Sequence, residues 1–163
     1  MEKSCIHQLH AYFLQEKKSL AFAESCTGGL LSYLITKNPG ASNYFLGSFV
    51  TYASKLKQQI LHVQDDTLIQ EGAVSEKCVE EMVLGLYQQT KADWNLAISG
   101  YMGPNDEETG LVYLAIAKQG NILFKGKLEH LHESERISLM EESANRALEY
   151  LFKVISMSAK ISS

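Results

Sequence analysis

Leu20-Ala21-Phe22-Ala23-Glu24-Ser25-Cys26-Thr27-Gly28-Gly29-Leu30-Leu31 is the stretch on which the reading of this chain turns. Its first four residues form an apolar run as long as a buried strand and too short for a buried helix. The run stops at Glu24-Ser25. Beyond Gly28-Gly29 the apolar residues return at helical spacing, as Leu30, Leu31, Leu34 and Ile35. A strand, a tight junction and a helix make the repeating unit of an α/β domain.

Working outward, Ile6, Leu9, Tyr12 and Phe13 follow helical spacing and predict an N-terminal helix within residues 1–17, closed by the solvated Glu16-Lys17-Lys18. On the other side, Asn38-Pro39-Gly40 ends the helix, since proline cannot continue one. Phe45 to Tyr52, rich in aromatic and β-branched residues, predicts a strand. Ser54 to Leu61 reads as a helix, Asp65 to Gln70 as a short helical turn, and Ser75 as the N-cap of a helix through Gln89. Asn95 to Ser99 is a further buried strand, followed by the loop Gly100-Tyr101-Met102-Gly103-Pro104 and an acidic tip, Asn105-Asp106-Glu107-Glu108. Leu111 to Ala117 and Ile122 to Leu128 predict a hairpin, Ser134 to Phe152 a last helix, and residues 156–163 a frayed tail. Alternating strands and helices followed by a hairpin predict a three-layer α/β/α sandwich with a mixed β-sheet.

With 163 residues, two prolines and no biased tract, the chain reads as a single domain over residues 1–163. The formal charge of −4 and the scattered lysines argue against direct nucleic-acid binding. Charges at Glu2, Lys3 and 16–18 break any signal-peptide core, and no apolar run reaches membrane-spanning length, so a cytoplasmic setting without a membrane partner is expected. Cys5, Cys26 and Cys78 are odd in number and lack a C-x-x-C, as expected of reduced thiols. Cys5-x-His7-x-x-His10 has no second ligand cluster to complete a coordination shell, so no metal is expected.

A serine where a strand turns into a helix can face a ligand while backbone amides of the first helical turn supply an oxyanion hole, and Gly28 and Gly29 let backbone approach closely. The same residues also suit a simple helix cap, with Ser25 or Thr27 satisfying free amides. A nucleophilic serine needs a base. His62, His130 and His132 are poorly placed, which leaves Lys57, just beyond a strand of the same sheet, with Tyr52 to relay or orient a proton. Lysine acts as a base only when neutral, which requires burial or nearby positive charge; a lysine in Lys55-Leu56-Lys57 more commonly faces water. Ser54-Lys55-Leu56-Lys57 matches the S-x-x-K pattern of serine acyltransferases, but its companion elements are absent, so the match is read as a decoy. Cys26, a thiol at a helix start, is the rival nucleophile. Ser25, Tyr52, Ser99 and Gly100 all fall at predicted carboxyl ends of strands, where open α/β sheets bind ligands.

Ala23 to Gly29, Val50-Thr51-Tyr52 with Lys57, Gly72-Ala73-Val74-Ser75, and Ser99-Gly100-x-x-Gly103-Pro104 together resemble the competence/damage-inducible CinA C-terminal domain family. The likeness runs from about Leu20 to Phe152. It implies a nicotinamide mononucleotide deamidase: hydrolysis of the carboxamide to nicotinate mononucleotide and ammonia, in pyridine-nucleotide salvage. By this resemblance Ser25 is the nucleophile, Lys57 the general base and Tyr52 their assistant. Cys26, Thr27, Gly28, Gly29, Ser99, Gly100 and Arg136 are the expected substrate-binding residues, with Arg136 toward the phosphate. The resemblance also implies no metal, no cofactor, a small-molecule nucleotide as the bound partner, and a homodimer or higher homo-oligomer. Some members carry a larger N-terminal nucleotide-binding-like domain, and the chain is expected to be the smaller domain alone.

Two departures bear on the substrate. The family's glycine-rich loop and Lys-Pro-Val-Gly-Thr-Val segment are replaced by Asn105-Asp106-Glu107-Glu108-Thr109-Gly110-Leu111-Val112, and its Gly-Asp-Arg-x-x-x-Arg pattern becomes Ser134-Glu135-Arg136-Ile137-Ser138-Leu139-Met140. An acidic loop repels a phosphate and a methionine cannot pair with one. Two alternatives therefore stand beside the deamidase: an amidase with a different small substrate, and a catalytically impaired relic that binds a nucleotide or a protein partner.

Overall fold

Residues 20–24 lie at the heart of a five-stranded sheet in the computed structural model, which describes residues 4–104, 107–129, 131 and 135–161. Asn105, Asp106, His130, His132 and Ser134, on which parts of the sequence reading fell, lie outside those residues, as do residues 1–3 and 162–163. In chain order the elements are α1 (Cys5–Glu16), β1 (Leu20–Glu24), α2 (Leu30–Thr36), a 3₁₀ turn (Ala41–Asn43), β2 (Phe45–Val50), α3 (Ser54–Leu61), α4 (Asp65–Gln70), α5 (Glu76–Thr90), β3 (Trp94–Gly100), β4 (Val112–Lys118), β5 (Asn121–Lys127) and α6 (Arg136–Ile161). The sheet order is β2-β1-β3-β4-β5; β1 pairs parallel with both β2 and β3, while β4 and β5 are antiparallel. The sheet is mixed, with helices on both faces, as expected.

The strands alternate large and small side chains, and this sets the two layers apart. Leu20, Phe22, Leu96, Ile98, Leu114 and Ile116 face one way, into a core shared with Leu9, Phe13, Leu31 and Leu148 of α1, α2 and α6. Ala21, Ala23, Ala97, Ala115 and Ala117 face the other way, under Val79, Met82, Val83 and Leu86 of α5. Alternation along a strand puts successive side chains on opposite faces. The alanine face leaves room for α5 to lie low on the sheet and for α3 to pack beside it.

Ser75 caps α5 as expected, its Oγ accepting from the Cys78 amide at 3.1 Å. The C-terminal reading needs correction. Helix α6 does not end near Phe152 but runs to Ile161. Leu151 and Ile155 are buried, and this apolar stripe holds residues that local polarity marked as a frayed tail.

Gly85, inside α5, sits where α5 crosses the end of α3, and a Cβ built there would lie 1.9 Å from the Leu61 carbonyl oxygen. No side chain fits. Gly85→Ala is expected to cost about 3 kcal/mol, as overpacking against backbone does. The check is a urea titration: the midpoint falls while the slope is unchanged.

Candidate active site

Strand β1 lies between β2 and β3, so its carboxyl end is the point where the chain's crossovers diverge to either side, the crevice where α/β sheets bind ligands. The Ser25 amide still donates to the Ile98 carbonyl (3.2 Å), so the ladder alternation reaches one residue past the strand. Glu24 and Ser25 consequently face opposite layers: the glutamate faces α2, and the serine faces α3.

Lys57 meets the serine there. Its Nζ lies 2.8 Å from Ser25 Oγ, 2.7 Å from the Thr51 carbonyl oxygen and 3.3 Å from that of Tyr52. The lysine is 1 % exposed, so the water-facing alternative is set aside. Burial disfavours the ammonium and lowers the Lys57 pKa below the ordinary lysine range, against a smaller opposing influence of Cys78 and Cys26. A neutral amine has two N–H donors and one lone pair. In the neutral form, both donors on the two carbonyls would leave the lone pair toward the Ser25 hydroxyl, the arrangement a general base needs. Ser54 is exposed and has no such role; the S-x-x-K match is a coincidence of spacing. Cys26 is 3 % exposed, and burial pushes its thiol up to about 12, which leaves almost no thiolate at neutral pH.

The helix-start amides do not behave as the sequence suggested. Glu24 is fully buried, and its Oε2 accepts from Thr27 Oγ1 (2.7 Å) and the Gly29 and Leu31 amides (3.0 Å each). Its Oε1 accepts from the Ser32 amide (3.0 Å), Ser32 Oγ (2.6 Å) and Ser48 Oγ (3.1 Å). The positive end of α2 already holds an anion, and the anion belongs to the chain itself. The Gly28 amide donates to the Ser25 carbonyl and that of Leu30 to the Thr27 carbonyl, while the amides of Cys26 and Thr27 lie against the Cys26 sulfur. Gly28 (φ 60°) and Gly29 (φ 102°) make the turn in the left-handed region that other residues avoid. Nothing in the spacing singled out Glu24; a carboxylate at the last strand position before a helix start was the available signal.

A cleft of about 190 Å³ opens over Ser25, Cys26 and Lys57, walled by Ala73 and Val74 on one side and residues 99–102 on the other. Ser99 does not point a free hydroxyl at a ligand: its Oγ donates to the Ala73 carbonyl (2.7 Å) and ties the two walls together. Gly100 also lines the cleft, and Val112 and the Leu111 carbonyl leave no space for a Cβ there. Arg136 spans the mouth, donating to the Gly103 carbonyl (2.7 Å) and to Tyr52 Oη (2.9 Å). The Tyr52 side chain is 60 % exposed and is held by Arg136, while its carbonyl serves Lys57. Thr27, Gly28 and Gly29 line a separate neighbouring groove of about 430 Å³, together with Tyr33, Met140 and Glu141.

Cys5, His7 and His10 engage separate partners, respectively the Leu148 carbonyl, Ser4 Oγ and Tyr44 Oη. Among the described residues no group of three or more His, Cys, Asp or Glu side chains could hold a metal ion. All three cysteines are free.

Fold and site thus define an α/β/α domain with a buried serine–lysine pair at the carboxyl ends of β1 and β2. The chain belongs to the CinA C-terminal domain family, whose model matches residues 2–155. A CinA-like protein of Thermotoga neapolitana is 43% identical over 143 residues, covering 85% of this chain and 34% of that relative. A CinA-like protein of Prochlorococcus marinus (strain MIT 9515) is 37% identical over 151 residues, covering 90% and 35%. The chain spans about a third of the length of these curated relatives. Solved structures are matched nearly end to end. The competence damage-inducible protein A of Klebsiella pneumoniae superposes with a TM-score of 0.87 at 26% identity, covering 93% of this chain and 95% of that one. The competence/damage inducible protein CihA of Agrobacterium tumefaciens gives 0.86 at 27% identity, covering 94% and 99%.

Proposed function

We propose that this domain is an amidohydrolase that converts the carboxamide of nicotinamide mononucleotide to the carboxylate, releasing ammonia. The observation that carries the reading is the buried Lys57 Nζ, 2.8 Å from Ser25 Oγ and otherwise engaged by the Thr51 and Tyr52 carbonyls. Ser25 Oγ attacks the amide carbon while Lys57 takes the hydroxyl proton. The carbonyl oxygen becomes an oxyanion at the Cys26 corner of the cleft. When the C–N bond breaks, Lys57 passes its proton to the departing ammonia, leaving an acyl ester on Ser25. Water attacks that ester, Lys57 accepts one water proton and returns it to Ser25 as the carboxylic acid leaves, and the acid then gives its remaining proton to solvent as the carboxylate. Arg136, at the mouth, is the phosphate contact in this reading.

The test is ammonia release from nicotinamide mononucleotide by the purified protein, beside a deamidase of known activity. No release under conditions where the reference works removes this substrate. Arg136→Ala is expected to raise KM about tenfold with kcat within about threefold, the size of a lost charge-assisted hydrogen bond. Tyr52→Phe keeps the backbone carbonyl on Lys57 and is expected to lower kcat less than tenfold. Steady-state kinetics of both variants check the two expectations.

One observation favours a second reading, an amidase for a different small substrate. Where the family pattern carries a second arginine, Met140 lies beside Gly28 in the neighbouring groove, with the Glu141 carboxylate next to it. A panel of phosphate-free amides decides: ammonia from one of them, and none from the mononucleotide, favours this reading. The relic reading predicts ammonia from neither. The resemblance also brings into the proposal a homodimer or higher homo-oligomer and a cytoplasmic setting. No helix among the described residues is long and apolar enough to cross a membrane.

A further inference from the structure

We infer that Glu24 is a positioning residue for the nucleophile corner: its carboxylate fixes the arc Ser25-Cys26-Thr27, so that the serine meets Lys57 in the cleft. The inference rests on the amidohydrolase reading and adds to it a residue that touches neither substrate nor reacting atoms.

All six partners of the carboxylate are donors: the amides of Gly29, Leu31 and Ser32 and the hydroxyls of Thr27, Ser32 and Ser48. Among the described residues no ion pair involves it. A buried charge is retained only where hydrogen bonds replace its water, and here the donors and the positive end of α2 do so. The bond that matters for chemistry is the one from Thr27 Oγ1. It joins the residue before the nucleophile to the residue two after it, while the Gly28 amide closes on the Ser25 carbonyl inside the same turn. The arc is therefore held at both ends and cannot rotate its amides independently. The Glu24 carbonyl also accepts from the Thr51 amide (2.8 Å), and the Thr51 carbonyl in turn accepts from Lys57. The glutamate thus fixes the serine by its side chain and the lysine's acceptor by its backbone. Its Ser48 contact, by contrast, leads away from the corner to β2.

The division yields a test that separates positioning from plain stabilisation. Thr27→Val removes the corner bond and keeps the backbone amide; Ser48→Ala removes one bond from the same carboxylate and leaves the corner intact. Both are compared with wild type, Glu24→Gln and Ser25→Ala. The readouts are kcat and KM for ammonia release and the rate of Ser25 modification by a fluorophosphonate, followed by intact mass and normalised to folded protein. Expected results are a fall of at least about tenfold in kcat and in labelling rate for Thr27→Val, with KM within about threefold, and rates within about twofold of wild type for Ser48→Ala. Glu24→Gln, which sets an NH₂ group against donors, falls at least as far as Thr27→Val.

Equal losses for Thr27→Val and Ser48→Ala, or wild-type labelling of Glu24→Gln, overturn the inference. If Glu24→Gln does not fold, the Thr27 and Ser48 pair decides alone. A wild-type protein that is labelled but releases no ammonia from the mononucleotide loses that substrate only, and Glu24 is then judged from the labelling rates. A wild-type protein that is neither labelled nor active on any amide overturns the amidohydrolase reading, and this inference falls with it.

Discussion

Ser25→Ala is expected to lower kcat for ammonia release by about 10⁴-fold or more, since removing a nucleophile leaves only the contribution of binding and oxyanion donors. The fold should barely notice. Ser25 is almost buried, but the hydroxyl makes one described side-chain contact, with Lys57, which keeps its two carbonyl acceptors. A net loss of about 1 kcal/mol is the scale of one such hydrogen bond. Ammonia release and a thermal melt on the same preparation check both parts. A variant that keeps more than about a tenth of wild-type kcat removes Ser25 as nucleophile, because no other described group in the cleft combines access to Lys57 with a free hydroxyl.

Lys57→Arg is expected to be at least as damaging, and its pH dependence is the sharper signature. Burial lowers the Lys57 pKa, so in wild type kcat/KM rises with pH and levels off at a pH below the free-lysine value of about 10.4. An arginine does not lose its proton in a protein, so the variant should be inactive across the range and lack the rising limb. The stability argument runs in the matching direction. Between the lowered folded pKa and the unfolded one, the unfolded chain binds a proton that the folded chain does not. Unfolding free energy therefore rises with pH across that window. Denaturant titrations of wild type and Lys57→Met at several pH values should give a difference that moves in favour of wild type as pH rises toward the free-lysine range. A difference that falls instead means Lys57 is held as an ammonium, and the base assignment fails.

Much of this molecule is written locally. The strand at residues 20–24, the helix after Gly29, the Ser75 cap and the hairpin around Gln119 and Gly120 follow from patterns a few residues long, and the structure has each of them. What could not be read locally depends on side chains finding partners far along the chain. Lys55 and Lys57 look alike in sequence, yet α3 is oriented so that the first faces solvent and the second is buried. The alanine face of the sheet allows that orientation, and Gly85 admits the α3 end to it. The resemblance named Ser25, Tyr52 and Lys57 together, and the fold brings them to one cleft. It did not reveal that Glu24 occupies the helix-start amides, or that Gly28 and Gly29 open onto a different groove. Those depend on which face of β1 each residue takes, and the pattern of residue types does not carry it. The end of α6 escaped for a similar reason: Leu151 and Ile155 are buried by the rest of the fold, while the polar residues around them resemble a tail.

The opposed directions of Glu24 and Ser25 also link assembly to chemistry. A strand slipped by one residue exchanges its faces. In such a slipped form the carboxylate would turn toward Lys57 and the hydroxyl toward α2, so the acid would neutralise the base and no attacking group would remain. The pairing of β1 with both β2 and β3, in which Leu20 lies opposite Phe45 and Trp94, sets Glu24 and Ser25 on their separate faces. In the proposed mechanism, a chain still searching for those pairings has no attacking serine beside Lys57.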